Sequence, residues 1–217
     1  MFDEYKIPID ATRFSTNRMN YISRFIELLK DIYKNYELLI KDKIKVPRKE
    51  NNIRDVLVDD YFTKNIKDYK FVKEEKNNLG QVDIFIQETL TNEKPEFIIE
   101  CKILDNKNIN GVEGLNAKYI KNGIQRFLTE HYCSYNNFYV NAMIGFITEK
   151  INIVENINSI NVLSEKLFNN LVDITQQITL VDTNISQSQY LTCNKKEFII
   201  YHQMMDFSDN LLEEKKT

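Results

Sequence analysis

Proline and glycine are scarce in this 217-residue chain, with 3 and 5 copies respectively. So few of either residue argue against a disordered linker or a collagen-like stretch. Long apolar runs are also missing, because no segment approaches the ~20 apolar residues that a membrane-spanning helix needs. The first residues, Met1 to Glu4, lack the basic start and apolar stretch of a secretory signal. The sequence therefore predicts a cytoplasmic protein with no membrane contact.

Cysteine and histidine are too few to predict a structural zinc site. The three cysteines, Cys101, Cys133 and Cys193, are far apart and form no CxxC pair. An odd number at such spacing fits a reducing compartment better than a disulfide framework. The chain has two histidines, and His131 with Cys133 makes only a weak zinc pair. Zinc binding is therefore not expected.

A strong positive charge is missing as well. The net charge is −3, whereas a protein whose whole surface coats nucleic acid is usually strongly basic. A local basic cluster nevertheless precedes Glu50, and it consists of Lys41, Lys43, Lys45, Arg48 and Lys49. This cluster is either a patch that steers a phosphate backbone or a charged loop between two helices. The sequence leaves both interpretations open.

Hydrophobic residues make up 42% of the chain, enough for a packed core, and their spacing predicts its elements. The predicted helices are 17–41, 47–67, 116–131 and 158–171, and the predicted strands are 69–75, 81–87, 96–104, 141–148, 177–182 and 196–203. This order predicts an α/β fold with a mixed central β-sheet flanked by helices. N-terminal helices and C-terminal strand and helix additions complete a single domain over 1–217.

Two opposite charges interrupt the apolar strand predicted at 96–104. Glu100 and Lys102 are two residues apart, so their side chains point to the same face of the strand. Burying charge costs several kcal/mol unless the charge is paired or bound to a metal. Asp83 adds a carboxylate in the preceding strand, and hairpin pairing of the two strands would bring all three groups to one end of the sheet.

This set suits the hydrolysis of a phosphodiester bond. Two carboxylates supply hard oxygen ligands for Mg²⁺, which acidifies water and stabilises charge on the phosphate. A lysine can orient or deprotonate the attacking water. Glu-x-Lys alone is a weak signal because it occurs five times in the chain, and only the copy at 100–102 lies in an apolar strand. The alternative is an exposed salt bridge on an edge strand, or a satisfied buried ion pair.

These residues in this order resemble the PD-(D/E)xK, or restriction-endonuclease-like, nuclease superfamily over roughly residues 45–150. The resemblance rests on Asp83 in VDIFI and on Glu100, Cys101 and Lys102 in FIIECKI. The proline of the family name is absent, since a valine precedes Asp83. The resemblance implies that Asp83 and Glu100 bind metal with help from the Cys101 carbonyl, and that Lys102 serves the nucleophilic water. Mg²⁺, for which Mn²⁺ can substitute, is the implied cofactor.

The resemblance extends to the two flanking helices. Many members carry a glutamate on the helix before the sheet, and Glu50 matches it as a further catalytic residue. Alternatively, Glu50 is simply a carboxylate favoured by the helix dipole. The helix after the third strand often lies beside the substrate, so Lys118, Lys121 and Gln125 are predicted to bind it, with a solvated helix face as the alternative.

The implied activity is that of a Mg²⁺-dependent endonuclease acting on DNA, such as a restriction or anti-phage defence effector. A homodimer, or a partner protein that selects the target, is expected. The alternative is a non-catalytic nucleic-acid-binding or assembly subunit that retains the nuclease fold. An RNA-cutting enzyme or toxin would share the chemistry and differ in substrate. His202, in a late strand, is expected to be a satisfied core or surface histidine.

Overall fold

The computed structural model describes residues 11–77, 80–89, 96–129, 138–168, 172–192 and 194–213. Four helices lie in these ranges. Helix α1 is Ala11–Lys41, and α2 joins Glu50–Val56, the π-helical segment Leu57–Phe62 and Thr63–Asn65. Helix α3 joins Leu115–Tyr119, the π-helical segment Ile120–Ile124 and Gln125–Leu128, and α4 is Ile153–Phe168. None of the described helices is long and apolar enough to cross a membrane.

Seven strands form one mixed sheet. They are β1 Tyr69–Asn77, β2 Gly80–Glu88, β3 Glu96–Leu104, β4 Val140–Ile147, β5 Val172–Asp182, β6 Ile185–Thr192 and β7 Glu197–Asp206. Their order across the sheet is β1-β2-β3-β4-β7-β6-β5. The pairs β3–β4 and β4–β7 are parallel, and the other four pairs are antiparallel. The predicted α/β fold with a helix-flanked mixed sheet is confirmed.

The sheet separates two hydrophobic cores. Helices α1 and α2 pack on one face, where they meet Phe97, Ile99 and Cys101 of β3. Helices α3 and α4 pack on the other face, with Ile98 and Leu104 of β3. Because side chains alternate along a strand, the residues between Ile98 and Leu104 that share their face point toward α3. The sheet thus directs Glu100 and Lys102 of β3 toward α3.

The C-terminal part of the chain departs from the predicted pattern. The sequence predicts two late strands, but the structure has three, because β6 was not recognised. Its residues ISQSQYLT are mostly polar, yet Ser186, Ser188 and Thr192 are buried against the rest of the sheet. Helix α4 also begins earlier than predicted, at Ile153. Because several buried positions of β6 are polar, a prediction based on hydrophobic runs does not detect this strand.

One further prediction changes just before the sheet begins. The helix predicted from Pro47 begins at Glu50 instead, because Val46 pairs with Leu211 in an isolated parallel bridge. The extended backbone at that bridge delays the helix. The weak zinc pair, His131 and Cys133, lies outside the described residues.

Candidate active site

Strands β2 and β3 separate part-way along their length. They pair from Ile84–Ile99 to Gln87–Glu96, and beyond Ile99 the partner of β3 is β4 on its other edge. The N–H groups of β3 that point toward β2 therefore need other acceptors. The Cys101 N–H donates to Asp83 Oδ2 at 2.8 Å, and the Ile103 N–H donates to Glu50 Oε2 at 3.0 Å. Two carboxylates thus replace the missing strand, and we call this place the β2–β3 opening.

The ammonium of Lys102 lies at the centre of the β2–β3 opening. Its Nζ is 3.0 Å from Glu100 Oε1, 3.3 Å from Asp83 Oδ2 and 3.4 Å from Glu50 Oε1. It also donates to the backbone carbonyl of Cys101. The structure therefore brings together all four residues that the sequence predicts to be catalytic, together with the predicted carbonyl ligand.

Burial and neighbouring charges shift the pKa values of Glu100 and Lys102. The Glu100 side chain is 0% exposed, and burial raises its pKa to about 7, against the opposing influence of Lys102. Burial lowers the pKa of Lys102, but the carboxylates of Glu100, Asp83 and Glu50 outweigh it and leave that pKa raised. Lys102 therefore keeps its proton near neutral pH and acts as a hydrogen-bond donor in this arrangement.

A cleft of about 350 Å³ opens over these residues. One side of it is formed by Glu50, Asp83, Glu100 and Lys102, and the wall formed by α3 contributes Leu115, Lys118, Asn122 and Arg126. The Arg126 guanidinium donates to Glu100 Oε1 at 2.9 Å. The cleft therefore combines carboxylates on the sheet side with cationic and amide groups on the helix side.

Of the predicted substrate-binding residues, only Lys118 lines the cleft. Lys121 and Gln125 are absent from its lining, and Lys121 Nζ donates instead to the Val112 carbonyl at 2.8 Å. Spacings of three and of four residues both suit one face of a helix, so the sequence alone does not separate the two sets of residues. In the structure the face of α3 that lines the cleft carries residues 118, 122 and 126, which are four apart.

Asn122 and Arg126 are therefore cleft residues that the sequence prediction missed. The signal that could have found them is Gly123, since a glycine inside a helix usually has a packing reason. A Cβ at this position would lie 2.3 Å from Met143 Cε, so glycine allows α3 to approach β4 closely. That close approach brings the helix against the sheet beside the cleft.

The basic cluster before α2 does not line the cleft. Lys45 Nζ donates to the Asp209 carbonyl at 2.6 Å, and Arg48 forms an ion pair with Glu149. Lys49 is exposed and directly precedes Glu50 at the start of the helix. The cluster precedes the N-terminus of α2, and its role in steering a phosphate backbone stays a prediction.

His202 is a satisfied core residue, as predicted. Its ring is 1% exposed and lies between the hydroxyl of Tyr119, 2.9 Å from Nδ1, and that of Ser188, 2.7 Å from Nε2. Burial lowers its pKa to about 3. Both ring nitrogens are used inside the fold, so the imidazole serves packing.

Comparisons of the chain with protein-family models, curated protein sequences and solved structures find no match.

Within the described ranges, no three Asp, Glu, His or Cys side chains form a group arranged to hold a metal ion. The oxygen atoms of Glu50, Asp83, Glu100 and the Cys101 carbonyl converge on Lys102 Nζ, all within 3.4 Å. Carboxylate and carbonyl oxygens are the donors that hard divalent cations such as Mg²⁺ prefer. The residues fit such a cation in kind, and a cation bound to the same oxygens would compete with the ammonium.

Proposed function

We propose that this chain is a Mg²⁺-dependent nuclease that hydrolyses phosphodiester bonds in DNA. The observation that carries the proposal is the convergence of three carboxylates, a backbone carbonyl and a lysine at the β2–β3 opening. Membership of the PD-(D/E)xK superfamily, implied by the same residues, is part of the proposal. A role as a restriction or anti-phage effector in the cytoplasm, with a homodimer or partner protein selecting the target, belongs to it as well.

Each side chain of the cleft has a defined task in this proposal. Glu50, Asp83, Glu100 and the Cys101 carbonyl would hold Mg²⁺, which acidifies water and offsets charge on the phosphate when bound. Lys102, protonated and anchored among these oxygens, orients the attacking water by donating a hydrogen bond.

The α3 wall supplies the phosphate contacts. Arg126 and Lys118 offer cationic donors on the helix side of the cleft, and Asn122 lies between them. A guanidinium matches the geometry of a phosphate well because it donates two parallel hydrogen bonds. In the structure the Arg126 guanidinium contacts Glu100, so a bound phosphate offers it a second anionic partner.

A second function has one observation in its favour. The Lys102 ammonium is surrounded by four oxygen acceptors, and such an ion-pair cluster can stabilise the β2–β3 opening without a metal. In that case the chain is a non-catalytic nucleic-acid-binding or assembly subunit. Cleavage and metal binding separate the two functions.

The test of the proposed function is a cleavage assay on supercoiled plasmid, linear duplex, single-stranded DNA and RNA. We expect cutting of DNA with Mg²⁺ or Mn²⁺ and none with EDTA. Asp83→Asn and Glu100→Gln should each slow cutting by about 100-fold or more, because each removes an oxygen donor at the reacting centre. Asp59→Asn is the matched control, since its carboxylate contacts Lys73 on the surface, and it should cut normally. Full activity of the Asp83 or Glu100 variant would exclude this site.

A further inference from the structure

Arg54 is a buried cation beside the β2–β3 opening that the proposed chemistry does not use. It follows Glu50 by four residues, so both side chains leave the same face of α2. The Arg54 side chain is 2% exposed, and its guanidinium is 2.8 Å from Asp55, 3.0 Å from Glu74 and 3.4 Å from Asp83. Burying a guanidinium is unfavourable unless it is paired this closely.

Glu74, which forms an ion pair with Arg54, has a strained backbone conformation. Its φ is 54°, in the left-handed region that residues other than glycine rarely adopt. It lies between the paired positions Lys73–Ile84 and Glu75–Val82, and therefore directly opposite Asp83. From there its carboxylate accepts hydrogen bonds from Arg54 and, at 3.3 Å, from Asn51. Strain of this kind persists only where the surrounding contacts determine the conformation.

The Asp83 carboxylate is consequently held from two sides. Its Oδ2 accepts from the Cys101 N–H at 2.8 Å, and its Oδ1 faces the Arg54 guanidinium at 3.4 Å. One contact comes from β3 and the other from α2, so the plane of the carboxylate is fixed between two elements. Without Arg54, the remaining contacts of the carboxylate, from the Cys101 N–H and from Lys102 Nζ at 3.3 Å, would both be made through Oδ2, and Oδ1 would lose its restraint.

We propose that Arg54 is a positioning residue of the metal site, which fixes the Asp83 carboxylate by tying it to Glu74 and α2. This inference rests on the proposed function, because it assigns Arg54 a role in metal binding at Asp83. Groups that orient a metal ligand commonly change metal affinity by about 10–100-fold when they are mutated. Arg54 would not touch the substrate or the metal.

The charge of Arg54 and its geometry have opposite effects on metal affinity, and this allows a clean test. Its positive charge repels a divalent cation, so loss of charge alone strengthens binding. Its planar guanidinium is a rigid fork of N–H donors that orients Asp83, so loss of the fork alone weakens binding. Arg54→Lys keeps the charge and removes the fork. A purely electrostatic role therefore predicts unchanged affinity in this variant, and a positioning role predicts weaker affinity.

The experiment is a calorimetric titration of the full chain with Mn²⁺, with folding checked by thermal melts. We expect Arg54→Lys to bind Mn²⁺ about tenfold more weakly than the parent. Arg24→Lys is the matched control, because Arg24 donates to Glu88 at the other end of β2, and it should bind like the parent. Parent-like affinity in Arg54→Lys would overturn the positioning role but would leave the proposed function standing. A parent that binds no Mn²⁺ would overturn both this role and the proposed function.

A second pair of variants tests the inference if Arg54→Lys does not fold. Glu74→Gln weakens the anchor of Arg54, whereas Asp59→Asn removes the same charge from a carboxylate that contacts Lys73 instead. Both folded variants are titrated with Mn²⁺. We expect the Glu74 variant to lose clearly more affinity than the Asp59 variant. Equal losses would show that only the charge matters and would overturn the positioning role.

Discussion

At the scale of single residues, Glu100 and Lys102 differ from His202 in the kind of partner that surrounds them. Glu100 is buried and Lys102 is 12% exposed beside an open cleft, where each has charged partners. His202 is buried in the sheet, and its partners Tyr119 and Ser188 are neutral hydroxyls. Lys102 retains its charge beside a cleft that a ligand can reach, whereas burial raises the pKa of Glu100 to about 7. His202 stays neutral and contributes to packing.

The buried neutral state of His202 predicts a specific dependence of stability on pH. The unfolded chain binds a proton at this histidine below about pH 6.5, whereas burial lowers the folded-state pKa to about 3. The unfolded state therefore gains protons first, and the free energy of unfolding falls as pH drops through this window. Tyr119, whose pKa is raised by burial, stays neutral throughout.

Urea unfolding of the parent and of His202→Gln measures this contribution. Between about pH 7.5 and 5, the parent should lose about 2 kcal/mol more of its free energy of unfolding than the variant. His131 is present in both proteins, so its titration cancels in the comparison. Identical losses in the two proteins would mean that His202 takes up a proton in the folded state.

At the scale of elements, the site exists because two strands diverge. Beyond the pair Ile84–Ile99, Asp83 and Glu50 accept the hydrogen bonds that β2 would otherwise accept from β3. Helix α2 supplies Glu50 from its first turn, and α3 closes the cleft from the other face of the sheet. Because β2 and β3 diverge, N–H groups of β3 donate to carboxylates instead of to β2, and this gathers the carboxylates at the site.

The phase of α3 predicts which of its side chains matter for cleavage. Arg126→Met should reduce kcat/KM for DNA by about 10–100-fold, because it removes a charge-assisted contact to phosphate. Lys121→Met removes the same kind of charge from a residue outside the cleft, and it should leave cleavage unchanged. Steady-state kinetics of the two variants provides the measurement. The opposite result, with Lys121 essential and Arg126 dispensable, would contradict a role for the α3 wall of the cleft in binding phosphate.

The sequence predicts the part of this site that depends on strands better than the part that depends on helices. The spacing of Glu100 and Lys102 in an apolar strand fixes their common face, and the preceding strand brings Asp83 beside them. On α3, spacings of three and of four residues both suit one helical face, so the sequence could not separate the observed lining, Lys118, Asn122 and Arg126, from the predicted Lys118, Lys121 and Gln125. Strand β6 escaped prediction for a different reason, because several of its buried positions are polar.

At the scale of the whole molecule, the site joins three layers of the fold. Glu50 and Arg54 come from α2 on one face, Asp83, Glu100 and Lys102 come from the sheet, and Arg126 comes from α3 on the other face. The two cores on either side of the sheet hold these layers in register. A cation bound at the β2–β3 opening would link elements that the sheet alone does not connect.

The most direct test of the central claim is a calorimetric titration with Mn²⁺ of the parent, Asp83→Asn and Lys102→Met. The parent should bind Mn²⁺, and Asp83→Asn should bind it about tenfold more weakly or worse, because an oxygen donor loses its charge. Lys102→Met should bind at least as tightly as the parent, since the competing ammonium is gone. No binding by the parent, or equal binding by the parent and Asp83→Asn, would contradict a metal site at the β2–β3 opening.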